Sequence, residues 1–385
     1  MNQIVMSNKI VFLNTWHKSD DDRVYYHQAI SLAKYGFEIQ IISTKENCLK
    51  KLENININSF DDSHLSRSEK TIKIIDYLTI FSPDIIICDS PLAVFASNKY
   101  KKNKKVKIIY DITEWYPSKK QLNDKTGYYK ILKFIGLVIV NIIAGLKSDS
   151  FIFGEYYKSI EYRILFFWKH YIILPYYPNL NYIQNYPLEK ITTEINILYS
   201  GKINFDKGFD SVIKAINIAS IKCPEIHFKL KIIGNLFTDE DQAFYNNLVS
   251  NLNKNININK INLLSFTEFC KTIGDTHLFI DLRKIDYENT HCLPIKLFYY
   301  LACGRPVIYS NLKSISKEIK DFSFGYLCHP NDLQTISDHI IEYITNPEIY
   351  FEHANNALKI SRSIYNWDTL EKKFISFVTN EISNT

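Results

Sequence analysis

The chain has 385 residues, 46% of them hydrophobic and 14% aromatic, which is enough apolar material for two buried cores of ordinary size. Its 46 basic and 41 acidic residues leave a formal charge of +5, too balanced for a nucleic-acid binder. Seven cysteines with no C-x-x-C pair and no clustering with histidine read as reduced thiols in a cytoplasmic protein and imply no structural metal.

The opening MNQIVMSNKIVFLN has no basic start followed by a long apolar run and a small-residue cleavage site, so export is not expected. KIVFLN (9–14) reads as a strand and RVYYHQAISLAKYG as a helix closed by Gly36. The carboxylates Asp20 to Asp22 ahead of that helix read as capping and first-turn charge rather than metal ligands. FEIQIIS, PDIIICD (83–89) and KVKIIYDI (105–112) are further strands with helical patterns between them. Lys99, Lys101, Lys102, Lys104, Lys105 and Lys107 form a cluster that reads as a solvated loop, with contact to anionic lipid as its alternative. FIGLVIVNIIAGL (134–146) falls short of the roughly 20 apolar residues of a spanning helix and contains Asn141. It is expected to be a buried helix. Peripheral docking on a membrane is the competing reading, because the lysine cluster and FFWKHY (166–171) lie in the same half.

ILPYYPNLNYIQNYPLEK, with Pro175, Pro178 and Pro187, has neither helical nor alternating period and is the linker candidate. The strand and helix pattern then restarts with INILYSG (195–201), GFDSVIKAINIAS, FKLKIIG, a helix from about 238, THLFIDL (276–282), a helix and PVIYS (306–310). Two helical segments follow Pro347. Strands alternating with helices predict two doubly wound α/β domains, with ligand at the carboxyl ends of the strands, in the cleft between them.

YSGKINFDKGFDSVIKAI (199–216) is the strongest chemical signal. A strand ends in Gly201, the loop presents Lys202 and Lys207, and Gly208 opens a helix, so two cations and a helix N-terminus suit a diphosphate. Gly234 ends another strand and permits close approach of a ligand or of backbone. In LPIKLFYYLACGRPVI (293–308), Pro294 suits a first helical turn, Lys296 lies on that turn and Gly304 ends the helix. With Asn289 this segment reads as a nucleotide-sugar subsite, while Leu297, Leu301 and Ala302 read as core. The turn after the first strand, NTWHKSDDDR, lacks the G-x-G-x-x-G of dinucleotide sites, which counts against an ordinary dehydrogenase.

SGK-x4-KG followed by LP-x-KLFYYLACG-x-PVI resembles the C-terminal domain of the family 4 glycosyltransferases, and DDRVYYHQAISLAKYGFEIQIIS, YDITEWYP (110–117) and NWDTLEKKF resemble other segments of the same family. The resemblance spans almost the whole chain. It implies the two-domain GT-B architecture, generally with retention at the transferred carbon. The implied division is an acceptor-binding domain over 1–178, a nucleotide-sugar domain over 190–360 and a final helix over 361–385 packing back on the first domain. Two positions depart from the pattern: Tyr299 and His291 stand where the family usually carries glutamates, and Thr113 stands where it carries histidine.

The expected reaction is sugar transfer from a nucleotide diphosphate sugar to a hydroxyl of a glycan or lipid-linked acceptor, without metal or cofactor. Bacterial surface polysaccharide synthesis is the expected setting, in the cytoplasm or at the inner face of the plasma membrane. Lys202, Lys207 and Glu114 are the catalytic candidates. Gly201, Gly208, Gly234, Asn289, Leu293, Pro294, Lys296 and Tyr299 are the donor-side candidates, and His17, Arg23 and Thr113 lie on the acceptor side. A catalytically weak glycosyltransferase-like binding partner and a nucleotide-sugar epimerase are the alternatives.

Overall fold

The structure is a computed structural model that describes residues 8–52, 54–102 and 104–383. The opening residues 1–7, on which the expectation about export draws, lie outside them. The chain divides into two compact units. One runs to Tyr176 and regains the chain from Leu370, and the other is Tyr177–Thr369.

The first unit is built on eight strands: β1 (Lys9–Asn14), β2 (Glu38–Ser43), β3 (Lys45–Leu52), β4 (Ile55–Asp61), β5 (Ile85–Cys88), β6 (Lys107–Ile112), β7 (Ser150–Phe153) and β8 (Tyr171–Ile173). They lie in the order β3-β4-β2-β1-β5-β6-β7-β8. All neighbours are parallel except the β3–β4 edge pair. The central strands are apolar runs buried on both faces, as a sheet covered by helices on each side requires. KENCLKKL of β3, by contrast, is mostly exposed and charged, a composition that protects a sheet edge from pairing further.

The second unit has six parallel strands: β9 (Glu194–Ser200), β10 (His227–Ile233), β11 (Ile256–Ile261), β12 (Leu278–Asp281), β13 (Val307–Ser310) and β14 (Gly325–Cys328). Their order is β11-β10-β9-β12-β13-β14. Counted within the unit this is 3-2-1-4-5-6, the doubly wound order in which the topology switches direction between the first and fourth strands. Ile195, Ile197 and Tyr199 of β9, with Phe209, Val212 and Ile216 of the following helix, form the centre of its core.

Asp21 caps the first helix, its carboxylate accepting from Val24 N at 3.2 Å. The segment between β8 and β9 holds one short turn, Leu180–Tyr182. The last helix, Trp367–Ser383, contributes its residues from Leu370 onward to the first unit, where Glu371 accepts from Ser31 Oγ at 2.5 Å.

The expectation of a buried helix over 134–146 is corrected. The helix is longer, Gly127–Lys147, and only Ala144 and Gly145 along it are buried. Ile131, Ile135, Ile139 and Leu146 are about half exposed. Asn141 faces inward, donating to Tyr162 Oη at 2.5 Å and accepting from Tyr110 Oη at 3.2 Å. Among the described residues this is the one helix long and apolar enough to cross a membrane.

Candidate functional site

Each unit gathers polar groups at the carboxyl edge of its own sheet. In the second unit they surround the switch point between β9 and β12. Chain leaving β9 turns at Gly201, and Lys296 from the helix Ile295–Ala302 reaches beneath it, donating to Ser200 O at 2.5 Å. A methyl group on Gly201 would lie 3.0 Å from the Lys296 ammonium. Lys207 donates to Asn289 Oδ1 at 3.1 Å, and Asn289 is itself held by Asp286 through bonds of 2.9 Å to its main-chain and side-chain nitrogens. Gly208, at φ +69°, then starts the helix Phe209–Lys222.

Arg283, immediately past β12, completes the cluster at 3.6 Å from Asp281. Burial lowers the pKa of Lys296 to about 8, with the charges of Arg283 and Lys207 acting in the same direction and Asp281 against them. Lys207 is also lowered, by burial first and then by Arg283. For Arg283, burial opposes the charge, but Tyr309 and Asp281 outweigh it and hold the guanidinium charged. Two partly buried lysines depressed by burial and by the fixed charge of Arg283 form a site suited to an anion, since a bound anion relieves both repulsion and desolvation.

Gly234 and Gly208 fill steric requirements of this edge. A Cβ on Gly234 would stand 1.9 Å from Gly201 O, and one on Gly208 would stand 1.6 Å from Leu282 O. Backbone therefore packs on backbone at both places, and only glycine fits.

The first unit repeats the logic at its own switch point, between β1 and β5. Asp89, directly after β5, accepts from Thr15 N at 2.9 Å and from Trp16 N at 2.9 Å, which folds the loop after β1 around the carboxylate. His17 Nδ1 lies 3.3 Å from the same carboxylate. Burial opposes the imidazolium, but the hydrogen bond to Asp89 and the charges of Asp21, Asp89 and Glu114 prevail and raise its pKa to about 9. At neutral pH His17 is thus a cation and a donor rather than a base. Glu114 is exposed just beyond β6. Thr113 Oγ1 is buried without a partner among the described residues, and Thr113 O accepts from Lys158 Nζ.

The structure therefore brings Gly201, Lys207, Gly208, Gly234, Asn289 and Lys296 together. Leu293 and Pro294 are buried where the chain enters the Lys296 helix, and Pro294 caps that helix instead of occupying its first turn. Lys202 is exposed over the Phe237 ring, 5.7 Å from its centroid, at the margin of the cluster. Two of the candidates pack into the protein. Tyr299 is only 3% exposed and packs edge-on against Phe266 and Phe269, because the apolar face of its helix turns it into the core. Arg23 is also 3% exposed; its guanidinium is bound by Asp111 at 2.9 and 3.1 Å and by Leu174 O at 2.8 Å, so it braces the sheet. Asp89 and Arg283 escaped the sequence reading. Both follow a buried strand directly, IIIC then Asp89 and LFID then Leu282-Arg283, and that position was their signal.

Residues 185–362 match the family model for glycosyl transferases group 1. An uncharacterized glycosyltransferase of Haemophilus influenzae is 21% identical over 362 residues, 91% of this chain and 93% of that protein. Sucrose-phosphate synthase from Thermosynechococcus elongatus superposes with a TM-score of 0.75 at 12% identity, covering 98% of this chain and 100% of that one. Anabaena HepE, solved in complex with UDP, gives a TM-score of 0.70 at 12% identity over 97% and 100% of the two chains. Most of the second unit thus matches the glycosyl transferases group 1 model, and the chain along its whole length has the GT-B fold.

Proposed function

We propose that this protein transfers a sugar from a nucleotide diphosphate sugar to a hydroxyl of a glycan or lipid-linked acceptor in bacterial surface polysaccharide synthesis. The observation that carries this reading is the cluster of Lys207, Arg283 and Lys296 around Gly201, at the switch point of the group 1 domain. In the reaction the bond from the anomeric carbon to the diphosphate breaks, and a bond to the acceptor oxygen forms as that oxygen loses its proton. Negative charge grows on the departing diphosphate. Fixed cations placed where it grows lower the barrier without reorganisation, and they make a metal unnecessary. Lys202, at the margin, extends the same field.

The first unit is the acceptor side of this proposal, with Glu114 as the group that receives the acceptor's proton and Thr113 at the end of the same strand. Asp89 and His17 are positioning residues there, since the carboxylate is already committed to the loop after β1. Retention at the anomeric carbon and peripheral membrane contact through the Gly127–Lys147 helix belong to the same reading. Tyr299, a tyrosine packed against Phe266 and Phe269 where the family usually carries a carboxylate, favours one alternative, a nucleotide-binding partner with weak turnover.

Calorimetry of the purified protein with UDP, GDP and ADP, with and without EDTA, tests the proposal. HepE was solved with UDP, so UDP is tried first. One nucleotide diphosphate should bind selectively, equally well in EDTA, and Lys207→Ala should weaken it by at least tenfold while the protein stays folded. Absence of binding by all three would overturn the donor site. Binding with no hydrolysis or transfer of the matching nucleotide sugar would favour the binding partner.

A further inference from the structure

Apart from these clusters, the first unit contains a groove of about 560 Å³. Leu92 and Phe95 from the helix Pro91–Lys101 and Leu137 and Val140 from the helix Gly127–Lys147 line it with hydrocarbon. Trp16 and Tyr116 line it as well, stacked with ring centroids 5.8 Å apart. Ser68 contributes an exposed hydroxyl and the two rings their polar tips; the groove's other polar groups divide into two kinds. The hydroxyls of Thr71 and Ser90 are already engaged, Thr71 with Arg67 O at 2.8 Å and Ser90 with Thr15 Oγ1 at 2.5 Å. Arg67 and Lys99 are exposed cations with no acidic partner among the described residues.

A free polar glycan would find few hydrogen-bond partners on such walls, whereas an anionic amphiphile matches both of the features that remain. The surroundings carry the same charge. Residues 99–147, which include the exposed apolar helix that contributes Leu137 and Val140, hold twelve lysines and three carboxylates. Trp16 also adjoins His17, so the groove begins one residue from the cluster at the end of β1.

We infer that this groove holds the hydrocarbon chain of a lipid-linked acceptor whose phosphate rests on Arg67 and Lys99, leaving its saccharide end toward Asp89 and His17. The word acceptor rests on the transfer reading above; the binding of an alkyl phosphate does not.

Isothermal titration of the full-length protein with octyl, decyl and dodecyl phosphate, each below its micelle concentration, tests this. Every added methylene should tighten Kd by about fourfold while it is buried, from roughly 0.8 kcal/mol per methylene. Inorganic phosphate should give no heat at millimolar concentration, and dodecyl maltoside, a neutral amphiphile, should bind at least tenfold more weakly than dodecyl phosphate. The double reversal Arg67→Glu with Lys99→Glu, and separately Val140→Asp, should each cost at least tenfold in dodecyl phosphate affinity and leave UDP affinity unchanged.

Equal affinity for the neutral and anionic amphiphiles, or for the charge-reversed protein, would reduce the groove to an apolar patch and overturn the inference. Inorganic phosphate binding as tightly as dodecyl phosphate would reduce it to a simple anion site, with the same result. Soluble dihexanoylphosphatidylglycerol binding as tightly as dodecyl phosphate would assign the groove to bilayer phospholipid and overturn the acceptor assignment. Intact dodecyl phosphate binding in a protein that binds no nucleotide diphosphate would sink the transfer reading and leave the groove standing, so the two failures are distinguishable.

Discussion

Lys296 is a lysine at the margin of losing its proton, because burial and two neighbouring cations disfavour its charge more than Asp281 restores it. That state has a consequence for ligand affinity. A nucleotide diphosphate needs the charged ammonium, so its affinity should hold up to about pH 7 and fall by roughly tenfold by pH 9, as a group with a pKa of about 8 loses its proton. In Lys296→Met the affinity should be lower at pH 7 and flatter across the range. Folding linkage has the matching sign: this lysine binds its proton less tightly in the folded chain than at its ordinary value of 10.5. The unfolded chain therefore holds more protons between pH 8 and 10.5, and the contribution of Lys296 to stability rises with pH across that window. Calorimetric titrations with UDP at pH 7, 8 and 9 check the first effect. A profile for the wild type as flat as that of the variant would show that another group binds the diphosphate.

The loop-helix elements after β9 and β10 are held in place by glycines that admit backbone where a side chain would stand. Gly208→Ala would set a methyl group against Leu282 O and require a φ of +69°, which costs about 1–2 kcal/mol before the clash is counted. It should lower Tm and abolish nucleotide binding. Gly136→Ala supplies the contrast, since it lies inside the helix Gly127–Lys147 with nothing within 4 Å of the new methyl. That change should stabilise by up to about 1 kcal/mol, and thermal melts of the two variants would separate a steric glycine from an incidental one. The same elements explain what could be read from the sequence. Buried strands such as KIVFLN and PVIYS announce themselves by composition, and Gly201, Lys207 and Gly208 follow one of them in a recognisable order. The edge strand β3 carries charges where a buried one has valine and isoleucine, and β4 sets its buried Ile55 and Ile57 in an Asn-rich run, so composition marks neither as a strand. The helix Gly127–Lys147 was placed in the interior for the opposite reason: its apolar face has the composition of a core helix, and composition does not say whether protein covers it. Tyr299 and Arg23 are placed near ligand by position in the sequence, Tyr299 within the family pattern and Arg23 near a strand's carboxyl end, whereas the direction of each side chain is set by tertiary packing.

At the scale of the whole chain, the division into units does not follow sequence order. Residues from Leu370 onward return to the first unit, nearly two hundred positions after that unit's main segment ends at Tyr176. Phe374 and Val378 in this returning helix are fully buried, and Glu381 lies 3.2 Å from His170 Nδ1. The first unit thus includes chain from beyond the second unit, while the second unit, Tyr177–Thr369, is continuous. Emptying the Phe374 site should therefore damage one unit selectively. Phe374→Ala is expected to cost about 3–5 kcal/mol, the usual range for a buried phenylalanine. Its effect should appear as an early melting transition and as faster hydrogen exchange in β1, β5 and β6, with exchange in β9, β10 and β12 unchanged. Uniform acceleration across both sheets would mean that the two units unfold as one, and the helix would then be a support for the whole chain rather than the last element of the first sheet's core.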